Sequence, residues 1–566
     1  MAQLKSRFLP GTTSPRNPQL IVDYLTMLLP FEGKLWNKET QKQFYEKMKK
    51  NLVSEALVGR SKDPAFSARD KINRAPKLLG FVSLKPVISI TEAGKAFLEN
   101  IELRQEILIR QMVKVQFPSP IHKESQVAKG YFNIHPYLEL LRLIYTVGGI
   151  YPRELKLFGV TLTNYKDFEK KVVELLDYRN QTLKTDKPIR QFHNEYFEKY
   201  VTNLYQDQID AGKIDTRETK TLTVKDFVKK KIRNINDYGD SYIRYLVGSG
   251  LVVLTKDRKL EISKGQYDEV INLLDTVPRE AADISFKQWE NIMFSISKPK
   301  LLSDDKSLLL SKVESIENEL GRNPKNNSKS SIVDLKTQLF ELNTDLSRIN
   351  LNSYVDQLKL FFEDDIEDIV DTFASIKKKM FFDNPLYFEW NVWRAFTMII
   401  DEMAGTVIGN FKRNTEGFPM ATAPGNRPDI YIEMEETNLV VEVTTSNGRT
   451  QHSMEGEPII RHAGEMQKKT GKETLGIFIA PKINPTVTAE LYSRYKINLD
   501  IYNGNVKYIP LALSDFVEFF LRFADGKIKL NEQKIKSILS KSIFLANTTK
   551  DEFEWQKEIT NYILSF

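Results

Sequence analysis

Residues 427–444 constrain this chain most. Arg427-Pro428-Asp429 opens a β-like run from Ile430 to Met434, the acidic stretch Glu435-Glu436-Thr437-Asn438 follows, and Leu439-Val440-Val441-Glu442-Val443-Thr444 reads as the returning strand. A two-residue loop at 435–436 sets Asp429 directly opposite Glu442, and a four-residue loop leaves the two diagonal on one face. Only an odd-length loop separates them. Carboxylates within ~5–8 Å of each other repel, so such a pair needs a shared proton or a divalent cation. Acids on the solvent face of a hairpin are common, and Glu433, Glu435 and Glu436 suit that bland reading. Glu442 does not, because a strand as apolar as its own exposes few side chains to water. With no cysteine and only five histidines in the chain, a metal here would sit on oxygen.

The rest of the chain is built to serve more than a hairpin. Its 566 residues suffice for about three or four domains. No run of eighteen apolar residues occurs, and the first residues, with Lys5, Arg7 and Pro10-Gly11, lack a signal-peptide core, which makes the cytoplasm the expected location. The net charge of +7 conceals a division. Residues 1–300 carry 50 Lys and Arg against 36 Asp and Glu, whereas 301–566 carry 32 against 39. That asymmetry fits a protein that grips a polyanion with one part and performs metal chemistry with the other, although a surface this rich in charge also fluctuates by chance.

Along the chain, residues 1–125 are expected to form a mostly α, winged-helix-like recognition subdomain. Pro18 to Leu29 and Lys38 to Asn51 have helical spacing, and Ser67-Ala68-Arg69-Asp70 resembles a capping box before a short basic helix. Gly80 to Leu84 and Val87 to Ile90 alternate as a hairpin, and Thr91-Glu92-Ala93-Gly94 opens the next helix. A second helical, winged-helix-like subdomain is expected over 126–302, where a helix from Asp237 to Val247 precedes Gly250 to Leu254, the tip Lys256-Asp257-Arg258-Lys259, and Leu260 to Ser263. Candidate DNA contacts are Arg69, Arg74 and Lys77 in the first subdomain, and Lys229, Lys230, Lys231, Arg233 and Arg258 in the second. Residues 303–354 read as a helical linker whose two arms flank Gly321 to Ser328. The remainder, 355–566, is expected to be an α/β catalytic domain: helices at 355–380, 386–409 and 458–470, the hairpin, and a strand from Leu475 to Ala480.

Three further features converge on the hairpin. Glu389 shares an apolar helical stripe with Trp393, Phe396 and Ile400, where an unpaired carboxylate is costly. It is either a neighbour of a metal site or the partner of an arginine. After the second strand, Glu455-Gly456-Glu457-Pro458 precedes Ile459-Ile460-Arg461-His462. Proline at the first helical position predicts a helix N-terminus carrying Arg461 and His462, a cradle for phosphate. The bland alternatives are a surface histidine and an arginine paired with Glu389 or Glu455.

Pro-Asp, twelve residues, then Glu-Val-Thr resembles the PD-(D/E)XK nuclease motif, with Thr444 where lysine is usual. More specifically, the chain resembles the AlwI-type family of type IIS restriction and nicking endonucleases. The resemblance runs through Ala65 to Asp70, Gly80 to Val82, Thr91 to Lys95, Phe117-Pro118-Ser119, Glu389-Trp390, Trp393 to Phe396, Glu455 to Pro458 and Arg461-His462. It implies an N-terminal region that reads a short asymmetric site in double-stranded DNA and a C-terminal PD-(D/E)XK nuclease domain that cuts outside it with Mg²⁺. On that resemblance Asp429 and Glu442 match the metal-binding acids, the Val443 carbonyl is a further oxygen ligand, and Glu389 and Glu455 are accessory acids. The missing lysine leaves the general base open, though a divalent ion acidifies its own water. One hairpin addresses one phosphate at a time, so cutting the second strand calls for a second copy or a smaller nuclease subunit. The rival expectation is a DNA-binding regulator or assembly protein with a degenerate nuclease domain; an RNA nuclease fits poorly, because winged helices suit the duplex major groove.

Overall fold

The structure, a computed structural model, describes residues 2–4, 9, 11–51, 63–124, 130–214, 223–255, 258–323, 329–381, 383–413, 418–423 and 427–566. It is mostly helical, with a small mixed sheet in the C-terminal part. Two compact units emerge, one of residues 1–48 with 61–342 and one of 49–60 with 343–566. Among the described residues no helix is long and apolar enough to cross a membrane.

In the first unit, short two-stranded ribbons alternate with helices. The basic helix predicted to open at Ser67 begins earlier, at Pro64, because Asp63 accepts from the Phe66 N–H at 3.0 Å and proline occupies the first helical position. Val82–Ser83 pairs antiparallel with Ser89–Ile90, and Thr91 caps the following helix, Glu92–Glu99, by accepting from Gly94 N–H at 3.1 Å. Further on, Val252–Leu254 pairs with Leu260–Ile262 ahead of the helix Tyr267–Thr276. The helix before that ribbon is longer than expected, Val224–Gly248, because Thr223 already caps it through Asp226 N–H. The basic run at 229–233 therefore rides on a helix. Of the linker helices, Lys306–Glu319 and Ile332–Leu358, the division between units falls inside the second. Lys336 shows why: its buried ammonium bonds Glu106 at 2.6 Å and Asp304 at 2.8 Å, within the first unit. The interrupting tip between the arms falls partly on 324–328, outside the described residues.

The second unit is a five-stranded mixed sheet between helices. Helix α1 (Glu363–Lys377) is followed by α2 (Asn384–Ile399), capped by Asp383 and buried along nearly its whole circumference. The helix expected over 386–409 stops at Ile399, where the backbone turns extended at Ile400 and leads into β1 (Ile408–Gly409). Then come β2 (Ile430–Glu433), β3 (Thr437–Val443), α3 (Gly448–Thr470), β4 (Glu473–Ala480), α4 (Pro485–Arg494), β5 (Lys507–Ala512), α5 (Leu513–Asp525), α6 (Glu532–Thr548) and α7 (Glu552–Ile563). The strand order is β5-β4-β3-β2-β1, with β3, β4 and β5 parallel and β1, β2 and β3 antiparallel. Covered on both faces, the central strands read as near-continuous apolar runs; Leu439, Val440 and Val441 are fully buried, as are Phe478 and Ile479.

The register of β2 and β3 follows from a two-residue loop. Met434 N–H bonds Thr437 O at 3.0 Å, and Ile430 lies opposite Val441, Ile432 opposite Leu439. The loop is held from outside. Glu532, at the start of α6, accepts from Glu436 N–H and Thr437 N–H at 2.8 Å each and from the Thr437 hydroxyl at 2.9 Å, while Lys536 pairs with Glu436.

Candidate active site

One step beyond the Ile430–Val441 pair, the β2–β3 register sets Asp429 opposite Glu442. Facing residues in an antiparallel pair point to the same side of the sheet, so both carboxyls stand on one face at the open end of the hairpin. Each is oriented by a donor. Val443 N–H bonds Asp429 Oδ2 at 2.8 Å, and His462 Nδ1 lies 2.7 Å from Glu442 Oε1, both side chains buried. His462 comes from α3, which therefore covers that face.

Glu389 on α2 completes an acidic cluster. It is 5% exposed, its Oε2 accepts from the Ala423 N–H at 2.9 Å, and burial pushes its carboxyl well above the usual carboxylate range, with the charges of Asp429, Asp383 and Glu442 adding to the effect. The arginine nearby on the same helix does not serve it: Arg394 is fully buried, pairs with Asp368, donates to Asn391 at 3.0 Å and stacks 4.5 Å from the Trp390 ring centre. Glu389 thus faces acids in the apolar layer.

A hard cation fits the donor set by its chemistry: two facing carboxyls and the Val443 carbonyl are all oxygen. Among the described residues no group of three or more His, Asp or Glu side chains is arranged to hold an ion, which keeps Glu389 a neighbour of such a site. Thr444 is buried with its hydroxyl 2.7 Å from that of Ser446.

The predicted phosphate cradle is not formed. Helix α3 begins at Gly448 and runs through Pro458, so Arg461 and His462 lie well inside it rather than at its first turn. Proline removes one helical N–H but fits within a helix whose other bonds continue. Arg461 is half-buried there, and the side chain of Glu455 lies outside the described residues.

The basic residues singled out in the first unit differ in what they can offer a polyanion. Lys229 and Arg233, one helical turn apart, are exposed; Lys230 between them is half-buried. Lys231 instead lies over the rings of Tyr205 and Phe227, at 4.5 and 5.0 Å, and burial lowers its ammonium. Arg69 is exposed, 5.8 Å from the Phe66 ring centre. Arg74 is exposed but pairs with Asp70 at 2.6 Å, and Lys77 is half-buried, its ammonium lowered by burial and by Lys85. Arg258 occupies the left-handed region at the ribbon tip, with φ 62°, beside residues 256–257 that lie outside the described set.

The profile of the AlwI restriction endonuclease family matches residues 78–519, spanning both units. The chain belongs to that family. Membership makes it a restriction endonuclease, a hydrolase of DNA phosphodiesters. Among solved structures it is similar to the small subunit (R.BspD6I2) of the heterodimeric restriction endonuclease R.BspD6I, at 24% identity over 35% of this chain and 97% of that one, with a TM-score of 0.28. No curated protein matches.

Sequence reasoning overlooked several groups near the carboxyls. Ala423 N–H and Asp383 frame Glu389, and Tyr508 on β5 lies close enough to feel the charges of Glu442 and Asp429. Backbone donors leave no sequence signal, and a tyrosine in an apolar strand reads as core.

Proposed function

We propose that this restriction endonuclease is of type IIS: the N-terminal unit reads a short asymmetric duplex site, and the C-terminal unit, a PD-(D/E)XK-type nuclease, hydrolyses a phosphodiester at a fixed distance outside it with Mg²⁺. The observation that carries the catalytic part is the hairpin register, which sets Asp429 against Glu442 with Glu389 beside them. Two ribbon–helix repeats and the exposed basic face of Val224–Gly248 support winged-helix-like recognition by residues 1–302.

Asp429, Glu442 and the Val443 carbonyl would hold the ion. When bound, the divalent cation activates water and stabilises charge developing on the phosphate. The chain's own groups do the positioning. Val443 N–H fixes the Asp429 carboxylate and His462 fixes Glu442, so neither swings away when the other's charge repels it. Glu389, its carboxyl raised by burial and by the charges of Asp429, Asp383 and Glu442, borders the site and is held by the Ala423 N–H. No cationic side chain occupies the Thr444 position, so the chain offers no lysine there to take a proton from water or to hold the phosphate.

Supercoiled plasmid with Mg²⁺ tests the proposal. Wild type should give open circles or linear fragments broken outside the recognised sequence, while Asp429→Asn and Glu442→Ala should leave the plasmid intact yet bind DNA as wild type does. An intact plasmid with wild-type enzyme would favour a DNA-binding protein with a degenerate nuclease domain, the reading to which Thr444 lends weight; cutting at near wild-type rate by either variant would remove these acids from the chemistry.

A further inference from the structure

Tyr508 is 1% exposed, and among the described residues its hydroxyl makes no hydrogen bond. A buried hydroxyl without a partner is costly, so a phenol in place of a phenylalanine calls for an explanation. Its position supplies one. Tyr508 pairs with Gly476, and Gly476 with Val440, across the parallel ladder. Side chains at paired positions share a face, and Val440 is two residues from Glu442, so Tyr508 stands on the carboxylate face beneath α3. The ring does not rise straight from the sheet. A Cβ placed on Gly476 would meet Tyr508 Cε1 at 2.3 Å and Cδ1 and Cζ at 2.4 Å. The ring therefore lies flat over the glycine, and its hydroxyl points past β4 toward β3. Glycine is needed at 476 for this reason; any side chain there would lift the ring and withdraw the hydroxyl.

Two acceptors share that face. One is the carboxyl cluster, whose Glu442 and Asp429 charges, after burial itself, push the Tyr508 phenol far above its ordinary value. A phenol held so high remains a donor at any working pH. The other is Asn438, fully buried, whose Nδ2 bonds Thr470 and Thr474 while its Oδ1 has no partner among the described residues.

We propose that Tyr508 is a positioning residue for the nuclease reaction, its hydroxyl donating through a buried water to the Glu442 carboxyl and thereby fixing that carboxyl's orientation. An uncharged donor performs here part of what a lysine ammonium would have done at position 444, without adding a buried charge. Polar groups behind metal-binding carboxylates commonly have this task, and their loss costs about 10–100-fold in activity or metal affinity.

The inference rests on the proposed nuclease site, and one experiment separates the two. Single-turnover cleavage, DNA affinity and melting temperature are measured for wild type, Glu442→Ala and Tyr508→Phe across a Mg²⁺ titration. Tyr508→Phe keeps the ring over Gly476 and removes only the oxygen. The expected result is a rate about tenfold lower, or a Mg²⁺ requirement about tenfold higher, with DNA affinity unchanged and melting temperature unchanged or raised. A rate within twofold of wild type at every Mg²⁺ concentration overturns the proposal. So does a lowered melting temperature with a proportionate loss of active enzyme, which would assign the hydroxyl to Asn438 and to folding. Glu442→Ala that still cuts would overturn the site reading itself.

Discussion

Glu389→Gln offers the sharpest test of the acidic cluster. The substitution preserves shape and leaves an oxygen to accept the Ala423 N–H, so what it removes is charge. Glu389 is buried against Asp429, Asp383 and Glu442, and its carboxyl lies well above the ordinary range. The sign follows from linkage. In the unfolded chain the group ionises at its ordinary value, while in the fold it holds its proton until higher pH, so wild-type stability falls as pH climbs through that interval. Below the interval both states are protonated and the two proteins should melt alike. Above it, repulsion by the neighbouring carboxylates costs the wild type roughly 2 kcal/mol, the order expected for nearby unit charges at an effective dielectric of about 20. Removing one such repulsion should raise the melting temperature of a domain of about 200 residues by roughly 4–8 °C. Calorimetry at pH 4 and pH 8 without divalent ions reads the difference. Saturating Mg²⁺ should shrink the gain at pH 8, because a cation between Asp429 and Glu442 neutralises the same field. A gain equal at both pH values, or a variant less stable at pH 8, would refute the argument that Glu389 is strained by its acidic neighbours.

Lys229→Ala and Arg233→Ala should each weaken binding to all DNA sequences alike and reduce the salt slope by about one unit, whereas Lys231→Ala, which loses contacts with Tyr205 and Phe227, should lower melting temperature more than salt dependence; fluorescence anisotropy against salt distinguishes them. Dilute enzyme should convert supercoiled plasmid to open circles with every nick on one strand, since the described chain has one such hairpin; run-off sequencing that finds breaks on both strands at the lowest enzyme concentration would contradict this. Lys114, buried against Arg110 and donating to Ile292 O and Ser295 O, has its ammonium pushed down to about 7 by burial. Because its folded value lies below the unfolded one, stability should rise with pH from about 7 toward 10, and Lys114→Met should flatten that rise in denaturant titrations.

The hairpin was legible because two short-range rules agree in it: period-two alternation fixes which residues share a face, and a two-residue turn at Glu435-Glu436 fixes the register. Glu389 stood out as an acid in an apolar helix, and the structure shows acids around it. The boundary of α3 was not legible. Proline is at home in a first turn, yet here the helix passes through Pro458, because packing of Ile459, Ile460 and Ala463 against the sheet outweighs the lost bond. Nor was the limit of the first unit, which Lys336 extends into the supposed linker by reaching Glu106 from 230 positions away. Contacts so distant in sequence leave no periodicity to read. Tyr508 belongs with them, since its relation to Glu442 passes through two strand pairings and a glycine.

The tie between Glu532 and the hairpin turn has a consequence for how the enzyme comes into being. The turn donates three hydrogen bonds to a residue that follows Thr437 by 95 positions. At a synthesis rate of about 5–20 residues per second, the carboxyl-bearing strands leave the ribosome roughly 5–20 seconds before the residue that secures their turn. β4, which flanks β3 on its parallel side, and β5 beyond it also emerge in that interval. A nascent chain carries both acids of the proposed site without the support that holds their turn. If the two acids cut DNA as proposed, competence waits on the later part of the domain, and a chain truncated before Glu532 should be released unable to align them.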